Sequence, residues 1–320
     1  MTFETKLGNR KVAIIGAGYV GSTIAYALTI RNLAREIVLI DINSNKAHGE
    51  ALDIQHGIPY MGISSVYEGS YQDCSNCDMI IITAGRGRRP GESRLNLAEE
   101  NSKILQAVIQ QLMQYYTRGV ILIISNPVDV LTTLADEWLG LPNGMVFGTG
   151  CILDTSRIVR VVADYLKIST EAVKGIIVGE HGDSQIPIWS HFTIGGIPIE
   201  DYCTSLEIFW NENKKIEIDA TVKKMGAEII KAKQRTHYGI ATCVCLLADA
   251  IINQRLTIAS VTSPLQGEYG VRNVSMSVPS IIGVNGVEKR IEENWSNIEY
   301  NKFKESSERL QTTIQNIRKN

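Results

Sequence analysis

The stretch 11–41 constrains this chain more than any other. An apolar run at 12–15 leads into Gly16-Ala-Gly18-Tyr-Val-Gly21. An apolar helical pattern follows (Ile24, Leu28, Ile30, Leu33), and a second apolar run at 37–40 stops at Asp41. The pattern reads as strand, turn, helix, strand, and each glycine has a physical task in it. Gly16 permits the tight turn, Gly18 lets a pyrophosphate approach the backbone, and Gly21 lets the helix pack close to the strand. The helix start offers unpaired N–H groups to a phosphate. Asp41, at the end of the second strand, stands where a carboxylate would accept hydrogen bonds from an adenosine ribose. A 2′-phosphate would be repelled there, so NAD is expected rather than NADP.

At 320 residues the chain suits two domains sharing a cleft, with a division expected at 1–148 and 149–320. A net charge of −2 argues against a general nucleic-acid binder or a membrane-surface protein. No apolar stretch reaches the length of a bilayer span. Residues 1–10 carry no apolar signal core, so a cytoplasmic protein is expected. Six cysteines in a chain this long do not make a disulfide framework. Cys74 and Cys77 have half of a zinc-site spacing, but no second pair accompanies them. They and Cys151, Cys203, Cys243 and Cys245 read as packing thiols, and no metal site is expected.

Along the chain, strands near Val66, at 79–82 and at 120–124 alternate with helical segments at 43–55 and from Leu95 onward. A Gly-Pro-rich turn is expected at 57–62. This alternation predicts an α/β fold, a doubly wound parallel sheet followed by a mixed α/β part. Gly16, Asp41, Thr83 and Asn126 all fall at the carboxyl ends of strands, where such sheets bind ligands. Asn126 either hydrogen-bonds a nicotinamide ribose or only forms an Asn-Pro turn. The second half reads as a helix at 154–166, a strand at 176–178, and a flexible loop, Gly179-Glu-His-Gly-Asp-Ser184. Strand and turn are expected at 189–199, and a long helix at 217–253 breaking near His237. Strands follow near Val261, at 274–278 and at 281–284, then an amphipathic terminal helix.

His181 can exchange a proton near neutral pH. Asp154 could hold its imidazole, or could instead be a helix-start residue paired with Arg157 at i,i+3. The same spacing would let Arg157 grip a substrate carboxylate with two hydrogen bonds. Arg86, Arg88, Arg89 and Arg94 lie between glycines in a segment without apolar period. That segment is either a solvated basic loop or a lid that brings guanidinium over the substrate.

Six motifs, in order, carry a resemblance: Gly16-Ala-Gly-Tyr-Val-Gly21, Arg89-Pro-Gly-Glu-Ser-Arg94, Ser125-Asn-Pro-Val-Asp129, Leu153-Asp-Thr-Ser-Arg157, Gly179-Glu-His-Gly-Asp-Ser184 and Thr236-His-Tyr-Gly-Ile240. The chain resembles the L-lactate/L-malate dehydrogenase family along essentially its whole length. The resemblance implies a Rossmann domain, a substrate domain, self-association to a dimer or tetramer, and NAD-dependent oxidoreduction of a 2-hydroxy acid. It implies His181 as the proton donor and acceptor, Asp154 as its partner, Arg157 as the carboxylate clamp and Arg94 as the lid arginine polarising the carbonyl. Thr236 would line the pocket and Ile240 would lie near the nicotinamide. The cofactor contacts expected are Gly16, Gly18, Tyr19, Val20, Gly21, Asp41, Thr83, Ala84, Gly85, Asn126 and Ile240.

On the substrate the sequence pulls two ways. Lactate-type members resemble this chain at Glu92, Thr236 and Gly267-Glu-Tyr-Gly270. At position 88, however, lactate-type members usually carry Gln, whereas malate-type members carry Arg, as this chain does with Arg88. A second substrate carboxylate needs a cation on the lid and a methyl group does not. Oxaloacetate/L-malate is therefore the favoured expectation, with pyruvate/L-lactate as the alternative should Arg88 point to solvent. The resemblance also places Val159 where fructose 1,6-bisphosphate-activated members carry arginine, so activation of that kind is not expected. An NAD-dependent glycosidase and a non-catalytic NAD-binding protein are the remaining alternatives. The first would need a metal set, and the His, Asp and Arg trio argues against both.

Overall fold

The computed structural model describes residues 9–87 and 94–319, the Arg94 side chain excepted. Arg88 and Arg89 lie outside the described residues. Strands β1 (Lys11–Ile15), β2 (Glu36–Ile40), β3 (Ser65–Glu68), β4 (Met79–Ile82), β5 (Val120–Ile123) and β6 (Val146–Gly148) pair in parallel in the order β3-β2-β1-β4-β5-β6. Helices α1 (Tyr19–Ile30), α2 (Ser44–Met61), α3 (Arg94–Leu112) and α4 (Val128–Leu139) connect them. The runs 12–15, 37–40, 79–82 and 120–123 are apolar at every position because both faces of the sheet are covered there. Val12, Ile14, Leu39 and Ile81 face one way, into a core shared with Ile24 and Leu28 of α1. Ala13, Ile15, Val38 and Ile80 face the other way, against Leu105 and Leu131 of α3 and α4.

Strand order reverses between β1 and β4, and a crevice opens at their carboxyl ends. The glycine turn sits there. Gly16 has φ +108°, and a Cβ on it would lie 2.6 Å from Thr83 Oγ1, which itself donates to the Gly16 carbonyl at 2.8 Å. A Cβ on Gly21 would fall 1.9 Å from the Gly16 carbonyl oxygen.

The second half supplies α5 (Ile152–Leu166), α6 (Ile199–Ser205), α7 (Glu212–Lys233), α8 (Tyr238–Ile252) and α9 (Asn297–Lys319). Its long strands, Thr257–Gln266, Arg272–Gly283 and Gly286–Arg290, extend the same sheet past β6 in antiparallel register, with Thr262 opposite Gly148. The two halves therefore share one sheet of nine strands among the described residues.

Three local expectations are corrected. The Gly-Pro segment 57–62 is not a turn, because α2 runs through Pro59 to Met61. A proline this near a helix end removes a single internal bond, and Asn32 Nδ2 holds the last turn by donating to the Met61 carbonyl at 3.2 Å. The strands expected at 274–278 and 281–284 are one strand, Arg272–Gly283, continuous through Pro279. Pro279 cannot donate, but its carbonyl still accepts from Ile291 N–H at 2.8 Å, so the ladder survives. The segment expected as strand and turn at 189–199 opens with a short 3₁₀ turn, Trp189–His191, ahead of the small strands Thr193–Ile194 and Ile197–Pro198.

Gly21→Ala tests the close approach of α1 to β1. Backbone must move to admit the methyl group, so the substitution should cost about 1–3 kcal/mol, read as a fall in the thermal unfolding midpoint.

Candidate active site

Asp154 lies in the first turn of α5 and is 2% exposed. A carboxylate is favoured at a helix N-terminus, and α5 aims it inward. Its Oδ1 accepts from Arg157 Nη1 at 2.8 Å, one helical turn away, and its Oδ2 faces His181 Nδ1 at 2.5 Å. The two sequence readings of Asp154, ion pair with Arg157 and partner of His181, hold at once because a carboxylate has two oxygens. With Nδ1 committed to Asp154, Nε2 is the nitrogen left to exchange a proton.

The His181 loop is pinned rather than flexible. Short strands Ile177–Val178 and Ile186–Pro187 pair antiparallel and bracket it. Gly179 exchanges two backbone hydrogen bonds with Ser277, at 2.9 and 3.0 Å. Ser306 Oγ of α9 accepts from Glu180 N–H at 3.3 Å. His181 N–H itself donates to Asp129 Oδ2 at 2.8 Å. Asp129, in the first turn of α4 and 1% exposed, was not among the expected site residues although it closes the motif 125–129. Nothing in sequence spacing ties it to residue 181.

The cofactor side is built at the strand ends. Gly18 caps α1 with no side-chain partner, and a Cβ there would meet nothing within 4 Å, so the space in front of the helix N-terminus is open. Asp41 accepts from Ala17 N–H at 2.7 Å and from Asn43 N–H at 2.9 Å, which holds its carboxylate beside the turn with lone pairs to spare. The turn, the open helix end and this carboxylate fit a dinucleotide. Ser125 Oγ donates to the Ala84 carbonyl at 2.6 Å. Asn101, 1% exposed on α3, takes Arg86 N–H at 3.0 Å and donates to the carbonyls of Arg86 and Asn126 at 3.1 and 2.6 Å. Asn101 thus ties Gly85-Arg86 to Asn126, whose side chain is exposed at the crevice, a linkage the sequence did not signal.

The halves meet across this crevice. Arg235, just past α7, stacks over the Tyr19 ring with its guanidinium carbon 3.9 Å from the centroid. Val20 and Ile240 pack against one core cluster. Thr236 is half-buried in the α7–α8 link. Gly226 of α7 faces Arg157, where a Cβ would lie 3.7 Å from Nη2. Of the arginines at 86–94, Arg86 is bound to Glu100 of α3, so it is not a free lid charge. Arg88, Arg89 and the Arg94 side chain lie outside the described residues. Cys74 and Cys77 are core residues whose thiols burial pushes up to about 12. A cavity of about 520 Å³, bounded by residues 183–187, Lys215 and Glu299, contains none of His181, Arg157 or Asn126.

Burial works against the imidazolium, but the charge and hydrogen bond of Asp154, helped by Asp129, outweigh it and lift the His181 pKa above its ordinary value. Burial likewise works against the Asp154 carboxylate, and His181 and then Arg157 hold it below the usual range. A histidine raised in the folded state contributes stability that is full below its unfolded pKa, near 6.5, and is lost as pH rises through the folded one. Asp154→Asn should therefore lower the melting temperature more at pH 6 than at pH 9, as scanning calorimetry at both pH values would read. Gly18→Ala, which fills only open space, should leave the melting temperature nearly unchanged. It should weaken NADH binding about tenfold or more, ~1.4 kcal/mol, in a fluorescence titration.

Two family descriptions match the chain: "lactate/malate dehydrogenase, NAD binding domain" over residues 10–148, and "lactate/malate dehydrogenase, alpha/beta C-terminal domain" over residues 151–320. An L-lactate dehydrogenase of Thermoanaerobacter pseudethanolicus is 40% identical over 307 residues, covering 96% of this chain and 99% of that one. L-lactate dehydrogenase 2 of Lactococcus lactis subsp. cremoris is 41% identical over 320 residues, covering 98% and 100%. The crystal structure of a minor L-lactate dehydrogenase from Enterococcus mundtii superimposes with a TM-score of 0.92 at 38% identity, covering 96% of this chain and 98% of that one. With the strand order, the glycine turn and the Asp154-centred cluster already in place, these matches make the chain a member of the lactate/malate dehydrogenase family, a two-part NAD-dependent oxidoreductase.

Proposed function

We propose that the protein interconverts a short 2-keto acid and its L-2-hydroxy acid with NAD, and that pyruvate and L-lactate are its working pair. The observation that carries the reading is the line Arg157–Asp154–His181, in which one buried carboxylate holds both a guanidinium and an imidazole. In this reading residues 1–148 hold the cofactor and 149–320 hold the acid. Arg157 grips the substrate carboxylate in two-pronged fashion, and Thr236 and Asn126 border the same space. When bound, reduced nicotinamide supplies the hydride. His181, kept as imidazolium by Asp154, gives its Nε2 proton to the substrate oxygen as negative charge builds there, and takes it back in the reverse direction. A positioned acid of this kind is worth about 10²–10⁴-fold. Arg94 polarises the carbonyl from the lid.

The relatives named above, all L-lactate dehydrogenases, support pyruvate over the oxaloacetate that the sequence favoured. Arg88 supports a second reading, oxaloacetate and L-malate, since a lid cation would meet a second carboxylate. The six free thiols fit a reducing cytoplasm. No helix among the described residues is long and apolar enough to cross a membrane. Exposed Leu52 and Tyr60 on α2, and Tyr238 and Leu246 on α8, fit a self-associating surface.

The test is NADH oxidation with each keto acid. The proposal expects a higher kcat/KM for pyruvate than for oxaloacetate, and the opposite order would replace it with the malate reading. Arg88→Gln separates the two roles of that side chain. A rise of about tenfold or more in the pyruvate-to-oxaloacetate ratio would place Arg88 against the substrate; an unchanged ratio would leave it a solvated lid charge.

A further inference from the structure

Asp129 is a buried charge that the reaction as described does not use. Its Oδ2 takes the His181 backbone N–H at 2.8 Å, and the carboxyl is 1% exposed. Thr262, on the strand paired with β6, is the side chain whose hydrogen bond favours the charged form of that carboxyl. A buried carboxylate is expensive. An asparagine could accept the same N–H without any charge, so anchoring the loop does not by itself account for a carboxylate. The first turn of α4 favours the negative charge only in part.

Among the described residues, the charged groups facing the imidazole are Asp154 and Arg157 of α5 and Asp129 of α4. Asp129 in turn faces His181 and Glu180 of the pinned loop. One carboxylate of α5 is shared with Arg157, whose positive charge works against the imidazolium. Asp129 has no such competing cation among the groups that face it. Burial pushes its own carboxyl up to about 7, against the pull of Thr262 and His181.

We infer that Asp129 is a positioning residue for His181: it fixes the backbone of the loop over the cleft and supplies a second negative charge that favours the imidazolium. The inference rests on the proposed proton transfer by His181, and it separates into an anchoring part and an electrostatic part. Asp129→Asn keeps size and acceptor and removes the charge, whereas Asp129→Ala removes both.

The experiment follows the His181 ring proton by NMR from pH 5 to 10 in the full chain, assigned by its loss in His181→Asn, beside pH profiles of NADH-dependent keto-acid reduction. In Asp129→Asn the imidazole should titrate at lower pH than in the native protein, and the fall of kcat/KM on the alkaline side should move the same way. At pH 6, where the imidazolium is populated regardless, its kcat should stay within about threefold of native. Asp129→Ala should lose about 10²-fold in kcat even at pH 6, because the loop is misplaced. An unmoved titration in Asp129→Asn would overturn the electrostatic part. Native kcat at pH 6 in Asp129→Ala would overturn the anchoring part. Should the alanine variant not fold, the asparagine titration decides alone. The NMR reading needs no turnover, so a native protein inactive on every keto acid would sink the proposed function and leave the Asp129–His181 coupling measurable.

Discussion

One buried carboxylate organises the chemistry of this molecule. Asp154 is taken almost wholly out of water, which would be prohibitive for an isolated charge, and it is tolerated because both of its oxygens are engaged by groups that carry or can carry positive charge. The same arrangement solves two problems. It fixes which imidazole nitrogen is free, and it holds a guanidinium at a set distance from that nitrogen without either group needing a partner from solvent. Neighbouring parts of the second half hold the His181 loop in place, from the short strand pair around it to the seryl contact from α9.

The sheet decides where that triad can act. Strand reversal between β1 and β4 places a crevice at the strand ends, and the glycine turn presents the open N-terminus of α1 to it. The later strands do not form a separate sheet but continue the first one, so Thr262 and Ser277 come to lie beside β6 and the start of α5. A shared sheet makes the distance between the glycine turn and His181 a property of backbone hydrogen bonding rather than of a hinge. Asn101 and Asp129 work in the same sense: each reaches from a helix of the first half to bond backbone at the crevice, and each is buried so that water does not compete.

Arg86 and Tyr19 show how context reassigns charged and aromatic surface residues. Arg86 belongs by composition to a basic, glycine-spaced run, yet Glu100 on the facing helix engages it. Tyr19, at the mouth of the turn, is stacked by Arg235 from the opposite half. Both contacts join residues far apart in the chain, and both change what the side chain is free to touch.

The sequence by itself determined the parallel α/β architecture and the glycine turn, and it singled out His181, Asp154 and Arg157. These depend on local periodicity, on glycines with a steric reason, and on groups whose chemistry is set by residue type. It misjudged Pro59 and Pro279, because proline's local cost is read from sequence while the tertiary hydrogen bonds that carry a helix or a ladder past it are not. Only the tertiary structure decided that Asp154 reaches His181 as well as Arg157, that the His181 loop is held rather than loose, and that Asp129 and Asn101 bond backbone at the crevice. Each of those facts is a contact between segments tens of residues apart. Spacing along a chain carries no record of such contacts until the sheet has brought its strand ends together.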